Sequence, residues 1–225
     1  MIIALIGFAA VLILAFLRMP LGVALGLVGL VGFSELSSYR AGMSNAARLV
    51  IDSGQSYGLS VVPLFILMGL MVDRGGMAKE LYRAAYAFLG HRRGGLAMST
   101  IVACGMFSAI CGSSLATAAT MSKVSMPEMR RYKYDDSLAT ASIAAGGTLG
   151  ILIPPSVILV IYGLITNASV GKLFIAGVLP GIIGVLFYLA AVMFVVSRNP
   201  AAGPAGEKTN GRDRLIALRD VWTTL

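Results

Sequence analysis

Small hydroxyl residues interrupt two long uncharged stretches of this sequence. The first stretch, 94–122, contains Gly112-Ser113-Ser114, and the second, 137–171, contains Pro154-Pro155-Ser156. Hydroxyl and carbonyl oxygens are the ligands that hard cations prefer, and the free N–H groups of a helix N-terminus bind carboxylates. A break in a helix exposes both kinds of backbone group. The two interruptions therefore predict a site for a cation and a carboxylate.

The hydroxyl groups near the two interruptions are the candidate ligands: Ser113, Ser114, Thr117, Thr120, Thr148 and Ser156. The alternative is that each hydroxyl bonds the backbone carbonyl one turn back in its own helix. We expect this simpler arrangement for Thr120, and a binding function for the two breaks.

The composition is that of a membrane protein. Hydrophobic residues make up 57% of the 225 residues and charged residues 12%, with a mean hydropathy of +0.86. A helix needs about 20 apolar residues to span a bilayer. Uncharged stretches of about this length recur at 1–17, 19–34, 53–72, 94–122, 137–171 and 173–197. We therefore predict an all-α polytopic membrane protein, in which the net charge of +8 sets membrane orientation rather than binding nucleic acid.

Ionisable groups are scarce within the predicted membrane segments, where Glu35 is the exception. A proton relay or a buried ion pair would normally place such a group deeper in the membrane. An intramembrane serine hydrolase using Ser113 or Ser114 would need a general base within hydrogen-bond reach. The only histidine, His91, lies in a basic cluster, so we predict that the protein is not an enzyme.

Basic residues flank the stretch 94–122 on both sides: Arg92 and Arg93 before it, and Lys123, Arg130, Arg131 and Lys133 after it. Since basic loops favour the cytoplasmic side of a membrane, both ends of the stretch are predicted to be cytoplasmic. The stretch then forms a re-entrant helical hairpin that turns at Gly112-Ser113-Ser114. The alternative, which charge alone leaves open, is one long tilted helix with small residues packed on a neighbour.

The stretch 137–171 is predicted to be a broken transmembrane helix, because Pro154 and Pro155 lack a backbone donor and disfavour helix in the preceding residue. The other predicted segments are scaffold-type helices and an interfacial segment in 1–75, a cytoplasmic interfacial helix in 76–93, a charged loop at 124–136, a transmembrane helix at 173–197, and a cytoplasmic linker with the start of an amphipathic helix in 198–225.

Three segments carry a resemblance to a known family: VPLFILMGLMVDRGG, GGLAMSTIVACGMFSAICGSSLATAAT and GGTLGILIPPSVILVIYGLIT. In their order and combination they resemble the large membrane subunit (M, or DctM-like, subunit) of tripartite ATP-independent periplasmic (TRAP) transporters. The resemblance implies a multi-pass protein of the bacterial inner membrane that takes up organic acids, such as dicarboxylates or sialic acids, with Na⁺ as coupling ion and no other cofactor. It implies two partners besides the lipid bilayer: a small four-helix membrane subunit and a periplasmic solute-binding protein.

Family members are viewed as elevator transporters with two inverted repeats, each with a hairpin and a broken helix, and 94–172 resembles the transport unit of the first repeat. The resemblance places the ion- and substrate-binding residues at Gly112, Ser113, Ser114, Thr117, Gly146, Gly147, Thr148, Pro154, Pro155 and Ser156. Among these, Ser113, Ser114 and Gly147 are the predicted Na⁺ ligands.

The chain is shorter than the family pattern, which holds two such repeats. We expect it to correspond to the N-terminal half, with the second repeat missing or supplied by a second polypeptide. Two other readings stay open at this point. One is a different ion-coupled carboxylate carrier of similar architecture, and the other is a membrane assembly fragment without transport activity.

Overall fold

The computed structural model describes residues 2–224, and these form α-helices, one short 3₁₀ turn at Pro200–Ala202 and no strand. The α-helices are α1 (Ile2–Phe16), α2 (Leu21–Leu36), α3 (Tyr39–Gln55), α4 (Tyr57–Arg74), α5 (Met77–Leu89), α6 (Gly95–Cys111), α7 (Ser114–Arg131), α8 (Asp136–Leu152), α9 (Val157–Thr166), α10 (Val170–Arg198) and α11 (Gly211–Thr224). The predicted all-α class is confirmed. Met1 and Leu225, which end two of the predicted segments, lie outside the described residues.

Among the described residues, two helical stretches are long and apolar enough to cross a membrane, or three if the bent pair Tyr39–Gln55 and Gly58–Arg74 is one span. Asp136–Thr166, which contains α8 and α9, includes an 18-residue window with a mean hydropathy of 2.2, and Val170–Arg198 includes one with 2.5. The surface of the second stretch is strongly apolar: Ile175 is 77% exposed and Phe187 70%. Exposed apolar surface of this extent is typical of a lipid-facing helix. The finding supports a multi-pass membrane protein.

The chain divides into two compact units between Tyr57 and Gly58. In the first unit, α1 packs against α2, and α2 against α3. Pro20 precedes α2, where its missing N–H group costs little. The Ser38 side chain accepts a hydrogen bond from the backbone of Ala41 (3.3 Å) and begins α3. The predicted interfacial segment is thus mainly one long helix.

In the second unit, α6 lies at the centre and contacts α5, α7, α8 and α10. Its largest side chains, Phe107, Leu96 and Ile101, are completely or almost completely buried. The amphipathic helix α5 packs its apolar face, including Leu81 and Ala85, against this core. A helix is therefore present in the predicted segment 76–93, and one face of it is part of the core. The functional roles assigned above to the segments stay predictions.

The predicted hairpin is present, because α6 and α7 pack against each other and are separated only by Gly112 and Ser113. Gly94 (φ 73°) precedes α6 and Gly112 (φ 63°) ends it. Both glycines have left-handed backbone, which side chains with a Cβ atom disfavour. The alternative of a single tilted helix is thereby excluded for this stretch.

The predicted charged loop at 124–136 is wrong. Helix α7 continues to Arg131 with Pro127 inside it, and only a short turn precedes α8. Packing explains the continuation: Met129 is completely buried in the core, and the Ser125 hydroxyl donates to the carbonyl of Met121 (2.7 Å). Burial of one helix face outweighs the hydrogen bond that a proline removes.

The predicted linker after α10 is attached to the rest of the second unit, with Ala202 and Gly203 buried. It lies on the hairpin base, by which we mean the turns 90–94 and 132–135. Three backbone hydrogen bonds attach it there: Gly94 N–H to Gly203 (2.8 Å), Asp135 N–H to Ala202 (3.0 Å) and Gly206 N–H to Gly90 (2.9 Å). Beyond it, α11 packs on α5. The end of α10 is thus joined to both ends of the hairpin.

Candidate functional site

The hairpin turn and the helix break meet. The backbone N–H of Val157, the first residue of α9, donates to the carbonyl of Gly112 (3.3 Å). A Cβ atom at Gly112 would come within 2.4 Å of the Pro155 carbonyl oxygen. Positive φ and close approach therefore both require glycine here. The two interruptions predicted from the sequence form one place in the fold.

Four helix ends converge at this meeting point. Helices α6 and α8 end there, at Cys111 and Leu152, and helices α7 and α9 begin there, at Ser114 and Val157. Helix C-termini leave carbonyl groups without helical partners, and N-termini leave N–H groups without them. The point thus offers partial negative charge for a cation and partial positive charge for an anion.

Ser156 is an unpartnered polar group at the helix break in the described part of the chain. It is completely buried, and its hydroxyl has no hydrogen-bond partner among the described residues. It precedes α9 without capping it through its side chain. Buried polar groups almost always have a partner, so an exception needs an explanation. A ligand bound at the break would supply one.

On the hairpin side, Ser113 begins α7. Its side-chain oxygen accepts a hydrogen bond from the backbone of Ala116 (3.4 Å), and its carbonyl accepts one from Thr117 (3.0 Å). Ser114 is half-buried beside it. The long distance to Ala116 makes the Ser113 cap a weak hydrogen bond, which leaves the hydroxyl oxygen able to contact another group.

The glycines of α8 allow this approach. A Cβ atom at Gly150 would lie within 2.9 Å of the Ser113 and Ser114 backbone, and one at Gly147 within 2.8 Å of the Ala118 side chain. Gly146 instead faces Cys104 of α6. These residues lie inside α8, and the predicted binding role of Gly146 and Gly147 stays a prediction. They bring α8 close to the hairpin.

Two predicted site residues lie away from the meeting point. Thr117 is completely buried between the hairpin arms, with its hydroxyl 3.4 Å from that of Ser108. Thr148 is exposed, donates to the Ala145 carbonyl (2.7 Å) and contacts the Tyr188 hydroxyl of α10 (2.9 Å). The structure therefore brings together Gly112, Ser113, Ser114, Pro155 and Ser156, whereas the hydroxyls of Thr117 and Thr148 contact Ser108 and Tyr188, and their predicted binding role stays a prediction.

The expectation for Thr120 is wrong. Its hydroxyl donates to the carboxylate of Asp73 (2.7 Å) and not to its own helix. The sequence showed no sign of this contact, because 47 residues separate the two positions. Other core hydroxyls, including Ser99 and Thr100, do donate to the carbonyl four residues earlier, as expected for hydroxyls in helices.

Tyrosines that the sequence analysis did not single out stabilise the hairpin base. The Tyr134 hydroxyl accepts from the backbone N–H of Leu96 (3.1 Å), in the first turn of α6. The Tyr86 hydroxyl donates to that of Tyr132 (3.2 Å) and accepts from the backbone of Glu207 (3.1 Å). Burial raises the pKa of Tyr86 and of Tyr134 from 10.0 to about 12.

These pKa values predict how the stability of the hairpin base changes at high pH. A tyrosine whose pKa is raised in the folded state favours folding while it is protonated, and that preference is lost as the pH rises from 10.0 to about 12. We expect tyrosinate absorbance to show a late-titrating fraction in this window, reduced in Tyr134→Phe and Tyr86→Phe. Titration of all tyrosines near the ordinary pKa, with the protein still folded, would contradict this.

Comparison with known proteins identifies the family. The chain matches the family described as "Tripartite ATP-independent periplasmic transporter, DctM component" over residues 8–225. The chain belongs to the DctM family. The predicted resemblance is thus confirmed, and so is the prediction that the protein is not an enzyme, since this is a family of transporters. A carrier of another family is no longer an alternative.

Individual relatives of the chain carry different substrate names. It is 39% identical over 177 residues to the C4-dicarboxylate TRAP transporter large permease protein DctM of Pseudomonas aeruginosa, covering 78% of this chain and 41% of that protein. It is 33% identical to the ectoine TRAP transporter large permease protein TeaC of Halomonas elongata (92% and 48%). It is 37% identical to the sialic acid TRAP transporter permease protein SiaT of Haemophilus influenzae (80% and 29%). The chain spans less than half the length of these relatives.

Proposed function

We propose that this DctM-family chain is a carrier subunit of the bacterial inner membrane that couples uptake of an organic acid to Na⁺. The observation that carries the proposal is the contact between the hairpin turn and the α8–α9 break, with the unpartnered Ser156 hydroxyl beside it. Secondary transporters commonly place substrate and coupling ion between discontinuous helices.

The residues at the meeting point fit Na⁺ and a carboxylate. We assign the Ser113, Ser114 and Ser156 hydroxyls and the carbonyls at the ends of α6 and α8 to Na⁺, since neutral oxygens suit a hard cation. The predicted ligand Gly147 lies inside α8, where its carbonyl belongs to the helical ladder. We assign Gly147 the role of allowing α7 to pack closely against α8. The first turns of α7 and α9 supply N–H groups for a substrate carboxylate.

The substrate class and partners are also proposals. The names of the relatives include a C4-dicarboxylate, a sialic acid and ectoine, each of which carries a carboxylate, and isethionate, a sulfonate; we propose a carboxylate for this chain because three of these four substrates carry one. The tripartite description of the family suggests a small membrane subunit and a periplasmic solute-binding protein. Because the chain spans about half or less of the length of its relatives, a second polypeptide or further chain segment would supply a second hairpin and break.

The Na⁺ assignment can be tested on this chain alone. Replacing choline chloride by NaCl at constant ionic strength should raise the apparent Tm by about 3–6 °C once Na⁺ reaches about ten times its Kd. Ser156→Ala should leave the Tm in choline unchanged or higher, because it removes an unpartnered buried hydroxyl, and should lower the Na⁺ response. A normal response in Ser156→Ala would exclude this hydroxyl as a ligand.

Uptake tests the carrier function itself. Proteoliposomes should contain this chain, a small membrane subunit, a solute-binding protein and a polypeptide supplying the second repeat. Na⁺-dependent uptake of a dicarboxylate or sialic acid only in the complete set, lost in Ser114→Leu, is the expected result. If the complete set inserts correctly and transports nothing, the chain is an assembly fragment, and the carrier proposal is wrong.

A further inference from the structure

One face of the C-terminal end of α4 contacts the hairpin. Gly69 contacts Cys111, so that a Cβ atom at Gly69 would come within 2.7 Å of the Cys111 sulfur. Val72 packs on the core cluster that contains Cys111 and Met121. Asp73 accepts the hydrogen bond from Thr120 (2.7 Å). Residues three and four apart share a helix face, so these contacts form one continuous attachment.

This attachment reaches both arms of the hairpin. Cys111 is the last residue of α6 and directly precedes the turn, and Thr120 lies in α7 after it. Thr120 is 7% exposed and Asp73 is half-buried, so their hydrogen bond is partly shielded from water. A hydrogen bond to a carboxylate is stronger than one between neutral groups. Asp73 therefore restrains the arm that begins with Ser113 and Ser114.

The attachment also places a negative charge near the hairpin turn. Asp73 follows Gly69 by four residues, a rise of about 6 Å, and Gly69 contacts the residue before Gly112. The carboxylate thus lies within roughly 10 Å of the turn. The oxygens assigned to Na⁺ at the turn and the break are all neutral. A full negative charge at this distance favours a cation there by roughly tenfold in affinity, at an effective dielectric constant of about 20.

We propose that Asp73 is a positioning residue of the cation site: through Thr120 it holds the hairpin turn against the α8–α9 break, and its charge raises the affinity of that point for Na⁺. The proposal rests on the proposed function, because it requires a cation at the turn. Asp73 does not contact the ion. Its effect is on the ion concentration at which the site is half occupied.

The experiment is a Na⁺ titration of apparent Tm, with choline chloride keeping ionic strength constant, on the full chain. Asp73→Asn should raise the half-saturating Na⁺ concentration roughly tenfold, as the charge estimate gives. Asp73→Glu, which keeps the charge, should change it less than Asp73→Asn does. Thr120→Val keeps the charge of Asp73 but removes the hydrogen bond that joins Asp73 to the hairpin. The loss of this hydrogen bond should raise the half-saturating Na⁺ concentration about twofold to threefold.

The matched control is Asp136→Asn, the same chemical change at the start of the 17-residue helix α8, whose other end lies about 24 Å away along the helix axis. It should leave the half-saturating concentration unchanged. A merely structural role would lower the Tm in choline without moving the Na⁺ midpoint, and an unmoved midpoint in Asp73→Asn overturns the inference. If Asp73→Asn does not fold, an unmoved midpoint in Thr120→Val overturns it instead. If the wild type shows no Na⁺ response, the proposed function fails, and this inference with it.

Discussion

Gly112→Ala is expected to abolish the Na⁺ response and to lower the stability of the chain more than Gly76→Ala does. The new Cβ atom would lie 2.4 Å from the carbonyl oxygen of Pro155, so the hairpin turn and the helix break must separate. The hydrogen bond from Val157 to Gly112 would be lost as well. Because the contacting atom belongs to the backbone, a change of rotamer cannot relieve the overlap.

A matched control separates the overlap from backbone strain. Gly76 has a similar left-handed conformation (φ 79°), and a Cβ atom there meets nothing within 4 Å. Gly76→Ala should cost only the conformational term, about 1–2 kcal/mol. Gly112→Ala adds an overlap, which typically costs a further 1–3 kcal/mol. Thermal unfolding in choline chloride measures the loss of stability in each variant, and the shift of Tm in NaCl measures its Na⁺ response.

Equal losses of stability in the two variants, with the Na⁺ response intact in both, would show that the turn does not depend on its contact with Pro155. Equal loss of the Na⁺ response would show that the response reports global stability. Only a selective loss in Gly112→Ala supports a binding point between the hairpin and the break.

The interruptions were predictable because local chemistry determines them. Glycine in Gly112-Ser113-Ser114 permits positive φ, and the proline pair cannot continue a helical ladder. Both effects act within a few residues, so the sequence shows them directly. The convergence of Ser113 and Ser156 followed from the same breaks, since free backbone groups in an apolar setting must find partners.

The errors came from tertiary packing. The continuation of α7 through Pro127 depends on burial of Met129 in a core, which composition cannot show. Thr120 finds Asp73 only because the end of α4 packs along the hairpin. The position of the linker on the hairpin base depends on backbone hydrogen bonds, which carry no side-chain signature. Long-range contacts of this kind have no local sequence signal.

Gly150 shows how α8 can be an intact helix and still be part of the site. A Cβ atom there would lie 2.9 Å from the Ser113 carbonyl carbon and from the Ser114 nitrogen. Alanine is normally a better helix former than glycine by about 1 kcal/mol. Any loss of stability in Gly150→Ala therefore reports the contact between α8 and the beginning of α7. An overlap typically costs about 1–3 kcal/mol, so after the gain in helix propensity we expect a net loss of up to about 2 kcal/mol.

Gly150→Ala should reduce the Na⁺-dependent rise in Tm by a larger fraction than it reduces the free energy of unfolding. The reason is that the displaced residues, Ser113 and Ser114, are the assigned ligands. Gly29→Ala in α2, where a Cβ atom meets nothing within 4 Å, is the control for helix propensity and should be neutral or stabilising. If Gly150→Ala instead stabilises the chain as Gly29→Ala does, α8 has room to move away from the hairpin. The close approach of the two elements would then not be what forms the site, and the ligands would have to come from the break alone.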